Sequence, residues 1–321
     1  MHKAKVLWHR KNGSDIAERT IEPIQEEREV VIESEYSFVS IGTEKTIISS
    51  DLSERTAEKM RVPYMQGHFN EDFTYGYSLI GKVIEGPKKL LHQHVHVMHP
   101  HQDIVKVNAD DVFPLPAGVP SKTATLGSNM ETAINAIWDA EVSLGDEILV
   151  IGFGSIGALV SLLANSIVGP RLSVLEINPN RSKIAKSYGF KVIDSIERGN
   201  FDVVFNTSGK GDMLQKGLDL CRVEGKVIEL SWYGNKQVNL SLGEDFHYGR
   251  KQIISSQVSQ IPLKKRATWD YKKRKVLAFD LLKELNTAPL FNLEIPFLEC
   301  PVFFNKLRQK NFDELAVVIK Y

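Results

Sequence analysis

The sequence predicts an α/β protein of two domains, and three observations support this prediction. The chain has 321 residues, more than a single hydrophobic core usually organises. Residues 1–120 contain short runs rich in β-branched and aromatic residues, broken by Gly, Pro and Asn, which predict a mostly β domain. From Ser121 onward apolar strand-like runs alternate with helical patterns, which predicts a parallel sheet with helices on both faces.

The strands of the first domain are indicated by alternating apolar and polar residues. They are KAKVLWH, EREVVIESEYSFVSI, GYSLIGKVIEG and HVHVMHP. Near the end of the sequence, ELAVVIKY has a strand pattern with no helix after it, so we expect it to return to the first domain. The predicted β-rich domain is therefore residues 1–120 completed by 288–321, and the parallel-sheet domain is residues 121–287.

The second domain is predicted to open with a helix in TATLGSNMETAINAIWDAEV. Strands in EILVIG, LSVLEIN, FDVVFNTSG and KVIELSW then alternate with helices in SIGALVSLLANSIV, RSKIAKSYG and KGLDLCRVEG. A charged amphipathic helix region follows in KRATWDYKKRKVLAFDLLKELNTAPL. Residues 148–168 carry no charge and have about the length that spans a bilayer. Their glycines and polar residues instead predict a buried strand, a tight turn and a buried helix.

A glycine-rich turn between a strand and a helix points to a dinucleotide cofactor. EILVI leads directly into the six residues of the turn, which are Gly152, Phe153, Gly154, Ser155, Ile156 and Gly157. In this motif the first glycine permits the tight turn, the second lets the backbone approach the pyrophosphate, and the third lets the helix pack on the sheet. The helix N-terminus then faces the phosphates.

An acidic residue near the end of the next strand predicts which dinucleotide binds. Glu176 lies about twenty residues beyond the turn, where a carboxylate accepts hydrogen bonds from the adenosine ribose and repels a 2′-phosphate. NAD is therefore expected over NADP, although Arg181 lies close enough to weaken this preference. Other residues expected at the cofactor are Asn178 beside Glu176, Thr207 and Ser208 in NTSG, Ser231 and Trp232 in SWYG, and Thr132 at the nicotinamide.

The order of domains, with a last strand returning to the first, resembles the medium-chain dehydrogenase/reductase superfamily. The resemblance covers essentially the whole chain and implies a GroES-like β-rich catalytic domain, a Rossmann dinucleotide-binding domain and a homodimer. SIGTE, YGYS, PHQD, ETAINAIWDA and FHYGRKQIISSQVSQIP are more similar to the bacteriochlorophyllide a dehydrogenase-like branch. The dimer contact is expected in the IISSQVSQI region.

The catalytic zinc ligands of the zinc-dependent members are missing from the matching stretches. SIGTE, YGYSLIGKV and TLGSNMETA place Ile41, Tyr77 and Ser128 at the ligand positions, and none of the three is a usual zinc ligand. We therefore expect no catalytic zinc. The remaining candidate for a metal is the tract with His92, His94, His96, His99 and His101. Alternation places the first three on one strand face, which more often is only a solvated face.

Hydride transfer without zinc needs other groups to handle the proton of the substrate hydroxyl. Thr43 matches the position of a relay hydroxyl in the zinc-dependent members, and Tyr77 occupies a lost ligand position. Glu44 is expected to orient these groups or to act as the base. The alternative is that Thr43 and Glu44 form a capped turn and that Tyr77 is a packed aromatic residue.

Three functions remain open from the sequence. The first is a dehydrogenase of an organic alcohol or carbonyl, for which the lack of zinc favours a substrate next to a conjugated system. The second is a quinone or enoyl reductase that acts on a conjugated C=C bond, and the third is a catalytically silent dinucleotide-binding regulator. Lys plus Arg equals Asp plus Glu at 40 each, which argues against nucleic-acid or membrane partners and favours a small-molecule substrate. The two cysteines and the lack of a signal-peptide pattern lead us to expect a cytoplasmic protein.

Overall fold

A computed structural model describes residues 1–24, 28–49, 52–309 and 312–321. The chain divides into two compact units. The first contains Met1–Ser128, Phe279–Phe312 and Ala316–Tyr321, and the second contains Asn129–Ala278 and Asp313–Leu315. The predicted divisions are 120/121 and 287/288, whereas the compact units divide at 128/129 and 278/279, and the second unit also takes in residues 313–315.

The first unit is built on strands that form two sheets. They are β1 (His2–Arg10), β2 (Gly13–Ile21), β3 (Glu29–Val39), β4 (Leu79–Glu85), β5 (His94–Val97), β6 (Ile104–Asn108), β7 (Val112–Pro114), β14 (Phe291–Pro296) and β15 (Ala316–Lys320). β1 and β2 pair with each other, and the larger sheet has the order β14-β15-β3-β4-β5-β7, with β6 also paired to β3. β15 pairs antiparallel with β3.

The core of this unit is made by alternate residues of its strands, as the period-two pattern predicts. The buried side chains come from β3, β4, β5 and β6 and include Val30, Ile32, Leu79, Val83, Val95, Val97, Val105 and Val107. Helices α1 (Ile41–Ser49), α2 (Glu54–Met60), α3 (Ser121–Ala124) and α10 (Cys300–Gln309) complete it. The stretch SIGTE is thus the start of a helix rather than only a turn.

The second unit holds a six-stranded sheet of order β10-β9-β8-β11-β12-β13, and every neighbouring pair is parallel. Its strands are β8 (Ile148–Ile151), β9 (Leu172–Leu175), β10 (Lys191–Ile193), β11 (Phe201–Asn206), β12 (Cys221–Glu229) and β13 (Gln252–Ser255). Counted within the unit, the order is 3-2-1-4-5-6, which is the Rossmann order. The predicted α/β fold with a β-rich first domain is confirmed.

Helices alternate with these strands. Residues of the second unit form all or part of α4 (Gly127–Ala140), α5 (Ser155–Val168), α6 (Pro179–Ser187), α7 (Gly211–Leu220), α8 (Asp245–Tyr248) and α9 (Tyr271–Glu284). The uncharged segment 148–168 is the buried strand β8, a turn and α5, as predicted. Among the residues described here, we find no helix with the length and hydropathy needed to cross a membrane.

Candidate functional sites, one in each unit

The glycine turn of the second unit has the backbone geometry that the motif predicts. Gly152 follows β8 with φ of +91°, a conformation that residues with a side chain rarely adopt. A Cβ on Gly157 would lie 2.1 Å from the Gly152 carbonyl oxygen and 2.6 Å from Thr207 Oγ1, so α5 can approach the turn this closely only with glycine there. A Cβ on Gly154 would meet no atom within 4 Å. The turn therefore has no room for a side chain at Gly157, whereas the space beside Gly154 is empty.

The N-terminus of α5 offers backbone donors beside this open space. Gly154 is the N-cap residue, and no side chain caps the helix. The N–H groups of a first helical turn have no partner within the helix, and they bind anions such as a diphosphate. The open face of Gly154 and the first turn of α5 together fit the pyrophosphate of a dinucleotide.

Glu176 follows β9 and is buried, with 5% of its surface exposed. Its carboxylate accepts the backbone N–H of Phe153 at 2.7 Å and that of Asn178 at 2.7 Å. The acid therefore holds the glycine turn directly, a contact that the sequence did not reveal. Because a carboxylate has about four acceptor positions, these two bonds leave capacity for ribose hydroxyls.

Asn178 and Arg181, both predicted at the cofactor, have structural partners. The Asn178 side chain caps α6 by accepting the N–H groups of Asn180 and Arg181, and it donates to Asp313 Oδ1 at 2.6 Å. Arg181 donates from Nε to the Asp313 carbonyl at 3.2 Å and from Nη2 to the Glu314 carbonyl at 3.1 Å. Two of its donor groups are thus used within the unit.

The residues at the ends of β8, β11 and β12 are connected by hydrogen bonds. Thr207 donates to the carbonyls of Ile151 and Gly152, at 3.0 and 2.9 Å, and so supports the glycine turn. The Ser208 hydroxyl donates to Asn206 Oδ1 at 2.7 Å, and Ser231 Oγ accepts the Gly209 N–H at 3.0 Å.

The other five predicted cofactor residues differ in burial, and their role at a cofactor stays a prediction. Phe153 is fully buried, and Ser155, Ile156, Thr132 and Trp232 are half-buried. Thr132 lies in α4 and Trp232 follows β12.

Sequence reasoning missed Glu229 at the end of β12, and it included Asn206 and Tyr233 only as members of the stretches NTSG and SWYG. Asn206 Nδ2 donates to Glu229 Oε2 at 2.8 Å and to the Tyr233 hydroxyl at 3.1 Å, and that hydroxyl donates to Glu229 Oε2 at 3.0 Å. The available signal in the sequence is a carboxylate in the otherwise apolar run VIEL, at the point where a parallel strand ends.

In the first unit the three predicted catalytic residues lie together at the start of α1 and just before β4. Burial, and to a smaller extent the Glu44 carboxylate, raises the pKa of Tyr77 to about 12, although side-chain hydrogen bonds with Ser40 and Thr43 act in the opposite direction. The Tyr77 phenol is therefore protonated at neutral pH and able to donate. The structure brings Thr43, Tyr77 and Glu44 to one place.

Glu44 is almost completely buried and acts as a cap of its own helix. Its Oε1 accepts the Ser40 N–H at 2.8 Å, and its Oε2 lies 3.2 Å from His101 Nε2. His101 Nδ1 lies 2.7 Å from Ser37 Oγ, which lies 2.8 Å from the Tyr321 hydroxyl. Glu44, His101, Ser37 and Tyr321 are thus joined by continuous hydrogen bonds, which are buried from Glu44 to Ser37 and partly buried at Tyr321.

The positions of the zinc ligands do not offer a metal site. Ser128 Oγ donates to the Tyr77 backbone carbonyl at 3.1 Å and lies 3.4 Å from His96 Nε2, and the third position is the aliphatic Ile41. Within the described ranges, no group of three or more His, Cys, Asp or Glu residues could hold a metal ion. The residues present therefore do not fit a catalytic zinc, and its absence from the protein stays a prediction.

The histidine tract does not form the single strand face that alternation predicted, nor is it mainly solvated. His92 lies in a turn before the strand, with φ of +64°, and β5 begins only at His94. His94 is exposed and pairs with Glu35 at 2.7 Å, whereas His96 is buried against Ser78. His99 and His101, in the turn beyond the strand, are buried as well, at 4% and 0% exposure.

Comparison of the sequence with known proteins finds dehydrogenases. No family model matches the chain. The D-guloside 3-dehydrogenases of Shigella flexneri and of Escherichia coli K12 are each 25% identical to it over 222 residues, which is 63% of this chain and 63% of theirs. The chain thus matches less than two thirds of the length of these curated relatives.

Solved structures of dehydrogenases superpose over nearly the whole chain. L-idonate 5-dehydrogenase from E. coli covers 100% of this chain and 99% of its own, with a TM-score of 0.79 and 16% identity. A zinc-binding dehydrogenase from Sinorhizobium meliloti bound to NADP covers all of both chains, with a TM-score of 0.78 and 13% identity. These findings support the resemblance to the medium-chain dehydrogenase/reductase superfamily, whose two-domain fold this chain has.

Proposed function

We propose that the protein is an NAD-dependent, alcohol dehydrogenase-like oxidoreductase that acts on a small organic alcohol or its carbonyl product. The observation that carries this proposal is the glycine turn, which has no room for a side chain at Gly157, has empty space beside Gly154, and is held by the buried Glu176. The relatives named above are dehydrogenases, which favours this activity over a reductase of conjugated double bonds and over a silent regulator. Because those relatives act on sugar derivatives by name, a polyhydroxylated alcohol is the first substrate class to screen. Membership of the bacteriochlorophyllide a dehydrogenase-like branch and a homodimer stay predictions.

The residues of the first unit supply the proton chemistry in this proposal. The glycine turn and the first turn of α5 would hold a nicotinamide dinucleotide, which would supply the hydride acceptor or donor. Thr43 and the protonated Tyr77 present hydroxyl donors that stabilise the developing negative charge on the substrate oxygen. Glu44, held by Ser40 and His101, orients these hydroxyls rather than touching the substrate itself.

We further propose that the reaction needs no catalytic zinc, because Ile41, Tyr77 and Ser128 occupy the ligand positions. Elemental analysis of protein purified without chelators tests this. We expect less than a stoichiometric amount of zinc. One tightly held zinc per chain that is lost on Tyr77→Phe would overturn the proposal, whereas zinc bound through exposed His94 would not.

The preference for NAD is tested by calorimetric titration with NAD⁺ and NADP⁺. We expect tighter binding of NAD⁺, since the buried Glu176 repels a 2′-phosphate. Glu176→Gln removes the charge and should narrow the difference between the two affinities about tenfold or more. The matched control, Glu197→Gln at an exposed position of the same unit, should leave it unchanged. Equal affinities in the wild type would remove Glu176 from this role.

A further inference from the structure

A carboxylate lies at the carboxyl end of the parallel sheet, where the proposed mechanism assigns it no role. Glu229 is the last residue of β12 and is half-buried. Its Oε1 accepts the Ser231 N–H at 2.6 Å, and its Oε2 accepts Asn206 Nδ2 at 2.8 Å and the Tyr233 hydroxyl at 3.0 Å. The side chain is therefore held in one orientation by three donors.

These contacts suit an ionised acid. An ionised carboxylate offers only acceptor sites, and each of the three partners donates to one of them. Burial first and the Glu229 carboxylate second raise the pKa of the Tyr233 phenol above its usual value, so this hydroxyl stays protonated as a donor to Glu229. Asn206 is an uncharged amide, so its hydrogen bond to Glu229 leaves the negative charge in place.

The topology of the sheet tells which half of a dinucleotide lies nearest to this charge. Glu176 after β9 marks the adenosine side, and the glycine turn after β8 takes the diphosphate. The strand order reverses between β8 and β11, so the second nucleotide of the cofactor lies over the carboxyl ends of β11 and β12. That second nucleotide carries the nicotinamide.

We propose that Glu229 is a fixed negative charge that makes the protein bind the oxidised cofactor in preference to the reduced one. The oxidised nicotinamide ring carries a positive charge and the reduced ring is neutral, so a nearby carboxylate stabilises only the oxidised form. The inference rests on the proposed NAD-dependent function. It adds the direction of the reaction, because a site that binds NAD⁺ more tightly than NADH favours release of NADH after oxidation of an alcohol.

Equilibrium titration with NAD⁺ and NADH, without any substrate, tests the proposal. In Glu229→Gln we expect the ratio of the NADH to the NAD⁺ dissociation constant to fall about tenfold, the order expected for one partly screened unit charge near another. Glu229→Asp keeps the charge and should retain most of the preference. Glu147→Gln removes a carboxylate at the opposite, amino end of β8 and should leave the ratio unchanged.

The ratio separates this charge effect from a loss of structure, because disruption of the strand ends weakens both cofactor forms alike. Glu229→Met gives a second uncharged variant of similar volume, and it should behave as Glu229→Gln does. A wild-type protein that binds neither form overturns the proposed function itself. A wild type that binds both, together with an unchanged ratio in either uncharged variant, overturns only the role of Glu229.

Discussion

At the scale of single residues, the hydroxyls of Thr43 and Tyr77 carry the chemical proposal. Thr43→Val and Tyr77→Phe keep the shape of the side chain and delete the donor, so each should lower turnover about a hundredfold or more. The affinity for NAD should hardly change, because the glycine turn lies in the other unit. The double variant should lose less than the sum of the two effects, since donors to one oxygen act together.

A matched control for these variants exists on the same helix. Thr46 donates its hydroxyl to the Gly42 carbonyl one turn earlier, which is a structural contact within α1. Thr46→Val should therefore keep near-normal turnover. If Thr43→Val and Tyr77→Phe behave in the same way as this control, the proton is handled elsewhere, and Glu44 or His99 is the next residue to change.

At the scale of the secondary structure elements, substitutions at the junction of β8 and α5 should separate effects on NAD binding from effects on stability. Gly154 has φ of −79°, which alanine accepts, and its Cβ would point into open space. Gly154→Ala should keep the stability of the wild type within about 0.5 kcal/mol, yet weaken NAD binding at least tenfold, because the new methyl group fills the space for the pyrophosphate.

Gly157→Ala, at the same junction, should instead affect the stability of the protein first. Its Cβ would lie 2.1 Å from the Gly152 carbonyl oxygen, so α5 has to move away from the sheet. We expect a loss of about 1–3 kcal/mol in the free energy of unfolding, the usual cost of overpacking. Urea unfolding and NAD titration of both variants provide the measurements. Similar losses of stability in the two variants would contradict this account of the turn.

At the scale of the whole molecule, buried histidines predict how stability depends on pH. Burial is the main reason that the pKa of His99 falls to about 4, and burial likewise lowers the pKa of His9 well below its usual value. Below pH 6.5 the unfolded chain takes up protons on these histidines while the folded protein does not, so stability is lost as the pH falls from 6.5 towards 4. His99 alone should account for about 2 kcal/mol between pH 7.5 and pH 5.

Urea unfolding at pH 7.5 and at pH 5 measures this effect. His99→Gln should be less stable than the wild type at pH 7.5, because it loses the stacking of the imidazole on Tyr64, but its stability should fall less on acidification. His68→Gln, at an exposed position, is the control and should follow the wild type. An unchanged pH dependence in His99→Gln would show that this histidine takes up its proton in the folded state.

The sequence by itself determined the features that depend on neighbours along the chain. The strand and helix periodicities give the alternation of β8 to β12 with their helices, because the pattern of burial along one element follows from its own geometry. The glycine turn was equally readable, since Gly152, Gly154 and Gly157 lie within six consecutive residues. Glu176 was found because the length of one strand–helix–strand unit sets its distance from the turn.

Only the tertiary structure decided which distant side chains meet. The chain from Glu44 through His101 and Ser37 to Tyr321 joins residues up to 284 positions apart, and no local pattern marks such partners. The same holds for Asn206 and Glu229, which meet because parallel strands end at one edge of the sheet. A hydrogen bond between side chains depends on positions in space to within a few tenths of an ångström, and these follow from the packing of whole elements rather than from the residues beside each partner.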